Sequence, residues 1–467
     1  MVSQLPLILA TALLFMVLGA IVWRLSRGPS DVVMLFALVF ALFYGLRAVL
    51  IASGLDVPYP EQFFEERQVA ALATTTVLWL TAFLAMFFAG AYVTSTRATF
   101  RSTLIFARQA PDLRRLLTVV VVLTSLATLI SLLLTIQYGG VGNFIRAVKI
   151  DKSLTGLYFL KVPAAMGALC SVAAVIELRK AGSSVGRRVA PAFFALALLN
   201  GFWVFIWGQR STLAIMGVML VLGLIQGRSG RIRARSAVAA ILAVAVIVVG
   251  VSTGLRVARD QLVSGEVQDV VAEASVWRQI SIGTNSIYFD SSMLAFRDWP
   301  QDRPYRLGSD FANSASGFVP RILWEGKPTS VVAGKDFRQV YQPRVVNGWP
   351  VGAPTLWWLN FGPLGVLIGG LLSGLIIGAL QRAQRMAAPS GLNFGVALVT
   401  MIYVLQTGFG PEWPVAFTAW LVPLGLIMWY VAPHSRPAMV EAQDPVTLMD
   451  PVGAAPATGP RSADIPE

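Results

Sequence analysis

Apolar residues run along this chain in long blocks with short polar breaks between them. Blocks near 20 residues fit helices that cross a bilayer, and they lack the strict alternation of a half-buried strand. Read in order, they predict eleven spans, near residues 5–23, 31–52, 69–94, 116–137, 156–177, 190–207, 211–226, 236–253, 353–380, 391–408 and 415–431. The expected fold class is therefore an all-α polytopic membrane protein with about 11 transmembrane helices. The chain then divides into helices one to eight (1–252), a large loop (253–352), helices nine to eleven (353–431) and a tail (432–467).

Basic residues give the expected orientation. Arg24 and Arg27; Arg97, Arg101, Arg108, Arg114 and Arg115; Arg179, Lys180, Arg187 and Arg188; Arg228, Arg231, Arg233 and Arg235; and Arg382 and Arg385 fall in alternate loops. The positive-inside rule makes those loops cytoplasmic, which places the N-terminus outside and the C-terminus inside. The tail, rich in Pro, Ala and Gly, reads as a disordered cytoplasmic segment. No basic residue precedes the first apolar run, an arrangement unlike a cleavable signal peptide.

One outer loop dominates, residues 253–352. Val263, Val267, Val270, Val271, Ala274 and Trp277 follow helical spacing, which predicts an amphipathic helix over 262–280 with Asp269 and Glu273 on its polar side. Beyond Trp299 the loop turns to Pro, Gly and aromatic residues, and a loop of this length is seldom idle.

Composition narrows the chemistry. The net charge of +13 sits mostly in short interhelical loops, where it orients the chain, so nucleic-acid binding is not expected. One cysteine, Cys170, lies inside an apolar run, so an intrachain disulfide and a thiolate metal cluster are both excluded. The sole histidine, His434, follows the last span and removes His-based catalysis from every outer loop. A P-loop, a dinucleotide fingerprint, a D-x-D pair and a G-x-S-x-G elbow are all absent.

Between Arg188 and Arg228 the chain runs 39 residues with a single charge, Arg210, in the phrase "GQRST". A straight helix of that length is nearly twice too long for a bilayer of about 30 Å, so the run splits into two antiparallel spans with Arg210 at a short outer turn. A guanidinium there either snorkels to headgroups or offers a forked pair of donors to a phosphate or diphosphate. Arg47, Arg146, Lys149, Lys152, Lys161, Arg256 and Arg259 are placed on the same side, which makes a cationic outer vestibule. The carboxylates expected outside are Asp290, Asp310, Glu325, Asp336 and Glu412, with Asp56, Glu61, Glu65 and Glu66 in the first outer loop.

The phrases "GQRST", "VPRILWEGKPTS" (319–330), "GKDF" (334–337) and "GAPTLWWLNFGPLGVLIGG" (352–370) together resemble the O-antigen polymerase family, the Wzy-type oligosaccharide repeat-unit polymerases. The resemblance covers about residues 200–380. It implies a GT-C-like helical fold, with short helices in the outer loop, in the bacterial inner membrane. The implied reaction is block transfer of a glycan from undecaprenyl diphosphate onto a new lipid-linked repeat unit at the periplasmic face, with no metal, nucleotide or other cofactor. Breaking the sugar–diphosphate bond builds negative charge that pre-placed arginines stabilise. On this resemblance Arg210 leads the diphosphate site, with Arg47, Arg146, Arg256 and Arg321 as helpers. Glu325, Asp310 and Glu412 are candidate bases. Trp324, Tyr305, Tyr341, Trp357 and Trp358 are candidates for stacking on sugar faces. Membrane lipids, a chain-length regulator and a flippase are the companions it suggests.

Three other readings compete. An O-antigen ligase carries a catalytic histidine in its outer loop, against the cytoplasmic position expected for His434. The phrases of shape-and-division peptidoglycan polymerases are missing. A transporter or flippase of lipid-linked sugars would also use a cationic cavity.

Overall fold

The computed structural model describes residues 31–96, 110–149, 158–182, 184–226, 287–316, 324, 333–344, 348–387 and 390–433, with isolated helical positions before 31 and between 239 and 250. The expected spans at 5–23 and 236–253, the amphipathic helix at 262–280 and the tail beyond Pro433 lie outside the described residues. All the described residues but Pro433 belong to one unit, Met1–Ala432, and no strand occurs among the described residues. Among the described residues, six helices are long and apolar enough to cross a membrane: Val32–Ala52, Glu66–Thr94, Leu113–Gln137, Phe159–Lys180, Arg188–Ile206 and Ala353–Met386. Three shorter apolar helices, Ser211–Gly223, Gly391–Thr407 and Phe417–Val431, accompany them.

The elements follow local rules. Helix α1, Val32–Ala52, starts where the Asp31 carboxylate accepts the Met34 N–H at 3.2 Å, and contains a π-helical turn at Ala41–Gly45. Helix α2 is Glu66–Thr96. Helix α3, Leu113–Gln137, is capped by Asp112, and each such cap contributes about 1 kcal/mol. Then come α4 (Val141–Lys149), α5 (Val162–Lys180), α6 (Ser184–Ile206) and α7 (Arg210–Gln226). Three short helices, α8 (Tyr288–Asp298), α9 (Ser309–Ser316) and α10 (Ala333–Tyr341), precede α11, Ala353–Met386. Helix α12, Gly391–Thr407, is capped by Ser390 and ends at left-handed Gly408. Helix α13 spans residues 413–431 with a π-helical turn at Phe417–Leu421.

Two packing devices hold the bundle. Gly370, Gly374 and Gly378 recur every four residues on α11, and a Cβ at any of them would overlap Phe83, Phe87 or Ala91 and Thr94 of α2. Gly90 of α2 returns the close approach against the Leu371 carbonyl. Small residues at this spacing let two backbones meet where lipid supplies no hydrophobic drive between helices. On α3, polarity faces inward: Thr124 and Thr128 accept from Asn200 and Trp203 of α6 at 2.7 and 3.1 Å, and Ser131 accepts from Trp207, just past the end of α6, at 3.0 Å. Its Leu129, Leu133 and Ile136 are exposed, as expected of a lipid-facing surface.

Contacts assign the helix ends. The Gly391 N–H donates to Glu177, so α12 starts where α5 ends. Arg385 pairs with Asp31, and Arg115 donates to the Tyr430 carbonyl, which puts the start of α1, the end of α11, the start of α3 and the end of α13 at that same end. Described members of the basic clusters, Arg115, Lys180 and Arg385, gather there. The opposite end carries residues 53–64, α4, the Gly208–Gln209 turn, α8 to α10 and the Gly408–Glu412 turn.

One expected span is corrected. Helix α11 is broken at Gly362, whose φ of 61° and ψ of −143° lie outside the helical region, followed by Pro363. The Trp357 ring sits against Gly369 and its carbonyl against Gly365, so residues 353–361 fold back along 363–386. A continuous span beginning at 353 is therefore replaced by a buried half-helix and one long helix.

Candidate functional site

The break at Gly362 organises a connected polar group at the loop-bearing end. Proline has no N–H, so the turn leaves backbone carbonyls of the half-helix without their helical donors. The loop before α9 supplies replacements: Arg306 N–H donates to the Leu359 carbonyl at 2.9 Å and Leu307 N–H to the Asn360 carbonyl at 3.1 Å. Gly308 N–H reaches the Asn360 side-chain oxygen at 3.1 Å.

Asn360 Nδ2 in turn donates to Asp310 at 2.8 Å, and Arg306 Nη1 donates to both Asp310 oxygens at 3.1 and 3.2 Å. Asp310 is 3% exposed, so its carboxylate is held rather than solvated. Tyr305 lies over Gly362, where a Cβ would overlap its ring. Asp336 of α10 shares this field. Burial pushes its carboxyl above the ordinary range, Arg306 and Lys335 pull it back, and Asp310 pushes it further up.

The Gly408–Glu412 turn closes against the same half-helix, with Gly408 on Ala353 and Gly410 on Leu356. Glu412 is half-buried, and burial pushes its pKa above the usual carboxylate range. Among the described residues no ion pair or hydrogen bond reaches its carboxylate, which suits a group that takes up and releases a proton.

At the turn between α6 and α7, Gly208 adopts φ 67° and Gln209 is buried. Gln209 Nε2 donates to the Lys161 carbonyl at 3.4 Å, while its oxygen accepts from Thr212 at 3.2 Å. Trp207 meets Phe144 of α4 edge-on at 5.1 Å. Arg210 begins α7, and its side chain lies outside the described residues. Arg146 is exposed on α4 and Lys161 is half-buried, so both stand at the same end as the start of α7.

Arg47 departs from the expectation of a free cation. It is 1% exposed and fully engaged: Nε and Nη2 donate to Asp290 at 2.9 and 3.1 Å, Nη1 to Asp56, and Nη2 also to the Val57 carbonyl at 2.8 Å. Burial pushes the Asp290 carboxyl up, and Arg47 and the Tyr59 N–H oppose that shift. The guanidinium is thus a structural tie, with no donor turned toward a diphosphate. Trp357 and Trp358 are also corrected. At 7% and 5% exposure they are core residues, Trp357 packed on Phe311 at 4.6 Å and Trp358 donating to the Trp299 carbonyl at 3.2 Å, so neither offers a ring face to a sugar.

Tyr341 is half-buried and donates to Asp298 at 2.5 Å, and Arg297 donates to the same carboxylate. That hydrogen bond and burial raise the Tyr341 pKa well above the phenol range. Trp324 is exposed at 43%, free to meet a ligand or an interface. Arg256, Arg321 and Glu325 lie outside the described residues. Arg306 and Asn360 escaped sequence reasoning, although "FGP" at 361–363 marks a breaker inside an apolar run and was the signal for them.

No family model, no curated protein and no solved structure matches this chain.

Proposed function

We propose that the protein is a metal-independent glycosyltransferase of the O-antigen polymerase kind, joining undecaprenyl-diphosphate-linked oligosaccharide repeat units at the periplasmic face of a bacterial inner membrane. In this reading the acceptor hydroxyl attacks the anomeric carbon of the growing glycan. The bond from that carbon to the diphosphate oxygen breaks, the hydroxyl proton passes to a carboxylate, and undecaprenyl diphosphate leaves.

The observation that carries the proposal is the concentration of held polar side chains at one end of an otherwise apolar bundle. Asp310 is fixed by Arg306 and Asn360, and Glu412 lies in a half-buried turn against the same half-helix. Either carboxylate serves as the base. Arg210 and Arg146 are the cations assigned to the leaving diphosphate, with Arg256 and Arg321 as helpers and Glu325 as a further base on the resemblance alone. Tyr305 and Trp324 remain the candidate sugar platforms.

The test is to incubate the purified chain with a synthetic undecaprenyl-diphosphate repeat unit and resolve the products. A ladder spaced by one repeat, with free undecaprenyl diphosphate, is expected. Folded protein that binds the lipid and yields no ladder would sink the polymerase reading.

The broken helix α11 favours a second reading, a transporter or flippase of lipid-linked sugars, because interrupted helices commonly line transport sites. Flux of the lipid-linked sugar across vesicles without a new glycosidic bond would select it.

A further inference from the structure

Leu307, between Arg306 and the start of α9, costs the fold twice. Its φ of 48° is left-handed, a conformation in which a Cβ crowds the backbone and glycine does not. Its side chain is 80% exposed, and among the described residues no large apolar side chain is more so. Burial therefore returns little for the strain. Only one other non-glycine residue among the described ones has a positive φ, Phe409, and its ring is half-buried and packed edge-on against Trp413 at 5.0 Å. Phe409 serves the interior, and Leu307 does not.

The strained backbone is firmly held. The N–H groups of Arg306, Leu307 and Gly308 all donate to Leu359 or Asn360 of the half-helix, and the Ser309 N–H closes back on the Arg306 carbonyl at 3.0 Å. These bonds set the conformation at position 307 whatever side chain it carries, and they place that side chain three residues before Asp310. An unfavourable conformation over-determined by its surroundings is where strain serves function. Contact with ordinary bilayer lipid needs no such residue. Leu364, Ile368, Leu372 and Ile376 of α11 recur every four residues as exposed apolar side chains on helical backbone, and they supply that contact without strain. Phe361, exposed as well, lies against Gly308, so the loop stands at the end of that row. Leu307 adds an apolar side chain among Tyr305, Arg306 and Asp310, where a ligand with joined polar and apolar parts would meet both.

We infer that Leu307 is a substrate-binding residue that contacts the polyprenyl chain of the lipid-linked sugar close to its diphosphate. The inference rests on the lipid-linked substrate of the proposed function and is independent of turnover. A free oligosaccharide or a water-soluble nucleotide sugar has no apolar chain to cover the leucine and would leave it as exposed as before.

The test measures binding to the purified full chain in detergent for two ligands, the synthetic undecaprenyl-diphosphate repeat unit and a matched analogue with a methyl group in place of the polyprenyl chain. Leu307→Gly keeps the left-handed backbone and removes the side chain. It should weaken binding of the polyprenyl ligand about fivefold, the scale of withdrawing part of one leucine from water, and leave binding of the methyl analogue unchanged. Leu307→Asn, polar and tolerant of a left-handed backbone, should show the same loss, while Leu307→Met should bind close to the parent. The unfolding midpoint of Leu307→Gly should equal or exceed the parent's, because strain is relieved and no packing is lost. Equal affinity of the parent and Leu307→Gly for the polyprenyl ligand overturns the inference. So does an equal loss with both ligands, or a midpoint several degrees below the parent's, which would make Leu307 a packing residue. A parent chain that binds the polyprenyl ligand and forms no ladder loses the polymerase reading and leaves this inference standing, whereas one that does not bind it ends both.

Discussion

Arg47 and Asp290 stand 243 positions apart in sequence and meet through two parallel hydrogen bonds, Nε to Oδ2 at 2.9 Å and Nη2 to Oδ1 at 3.1 Å. The pair ties α8, in the segment between long apolar helices, to the interior of α1. A forked guanidinium fits this double contact and an ammonium does not. Arg47→Met leaves two buried carboxylates without their cation, and the expected loss is about 3–5 kcal/mol, read as a lowered unfolding midpoint in detergent. Asp290→Asn, which keeps Arg47 paired with Asp56, should cost clearly less. A midpoint for Arg47→Met within a degree of the parent would contradict the tie.

Asp310→Asn preserves side-chain shape while removing the charge that Arg306 faces. If Asp310 is the base of the proposed transfer, polymer formation in the ladder assay falls by about two to four orders of magnitude, with lipid-linked substrate still bound. Unchanged polymer yield from normally folded Asp310→Asn would move the role to Glu412 or Glu325.

Gly374→Leu forces a side chain into the Phe87 carbonyl of α2, backbone that cannot rotate away. Overpacking of this kind costs about 1–3 kcal/mol or more, so a lower midpoint or loss of monodisperse protein is expected. Gly425→Ala, at a site with open space around it, is the control and should be close to neutral.

Glu412 gives a pH dependence whose sign is fixed by burial. Its folded pKa is raised, so the folded chain binds more protons than the unfolded chain between the ordinary and the raised value. Stability therefore falls as pH rises through that window, and the penalty is complete above the folded pKa. Glu412→Gln removes the penalty: the variant should be the more stable protein at neutral and higher pH, with the advantage gone in acid below the ordinary glutamate range. Melting both proteins across pH checks this, and an advantage largest in acid would reverse the assignment.

Span positions were readable from the sequence because a bilayer imposes one length on every crossing. The predicted 116–137 corresponds to Leu113–Gln137, and the predicted 31–52 to Val32–Ala52. The break at Gly362 was hidden by its apolar neighbours, since hydropathy registers composition and takes no account of a reversed chain. Partners of Arg47 could not be read either, because nothing local links position 47 to position 290. Asp310 was legible as a loop carboxylate, whereas the asparagine that holds it sits in a stretch that reads as pure span. Trp357 and Trp358 misled for a related reason: aromatic residues near an expected membrane interface look like binding platforms until the fold-back buries them.

The reversal at Gly362 also sets the electrostatics around it. Residues 353–361 end there and residues 363–386 begin there, so the partial negative charge of one helix terminus lies beside the partial positive charge of the other. The two macrodipoles oppose, and little net field emerges from the backbone at that point. An anion arriving beside the break gains almost nothing from helix ends. Whatever draws it must be a side-chain cation, and such a field can be switched off one residue at a time.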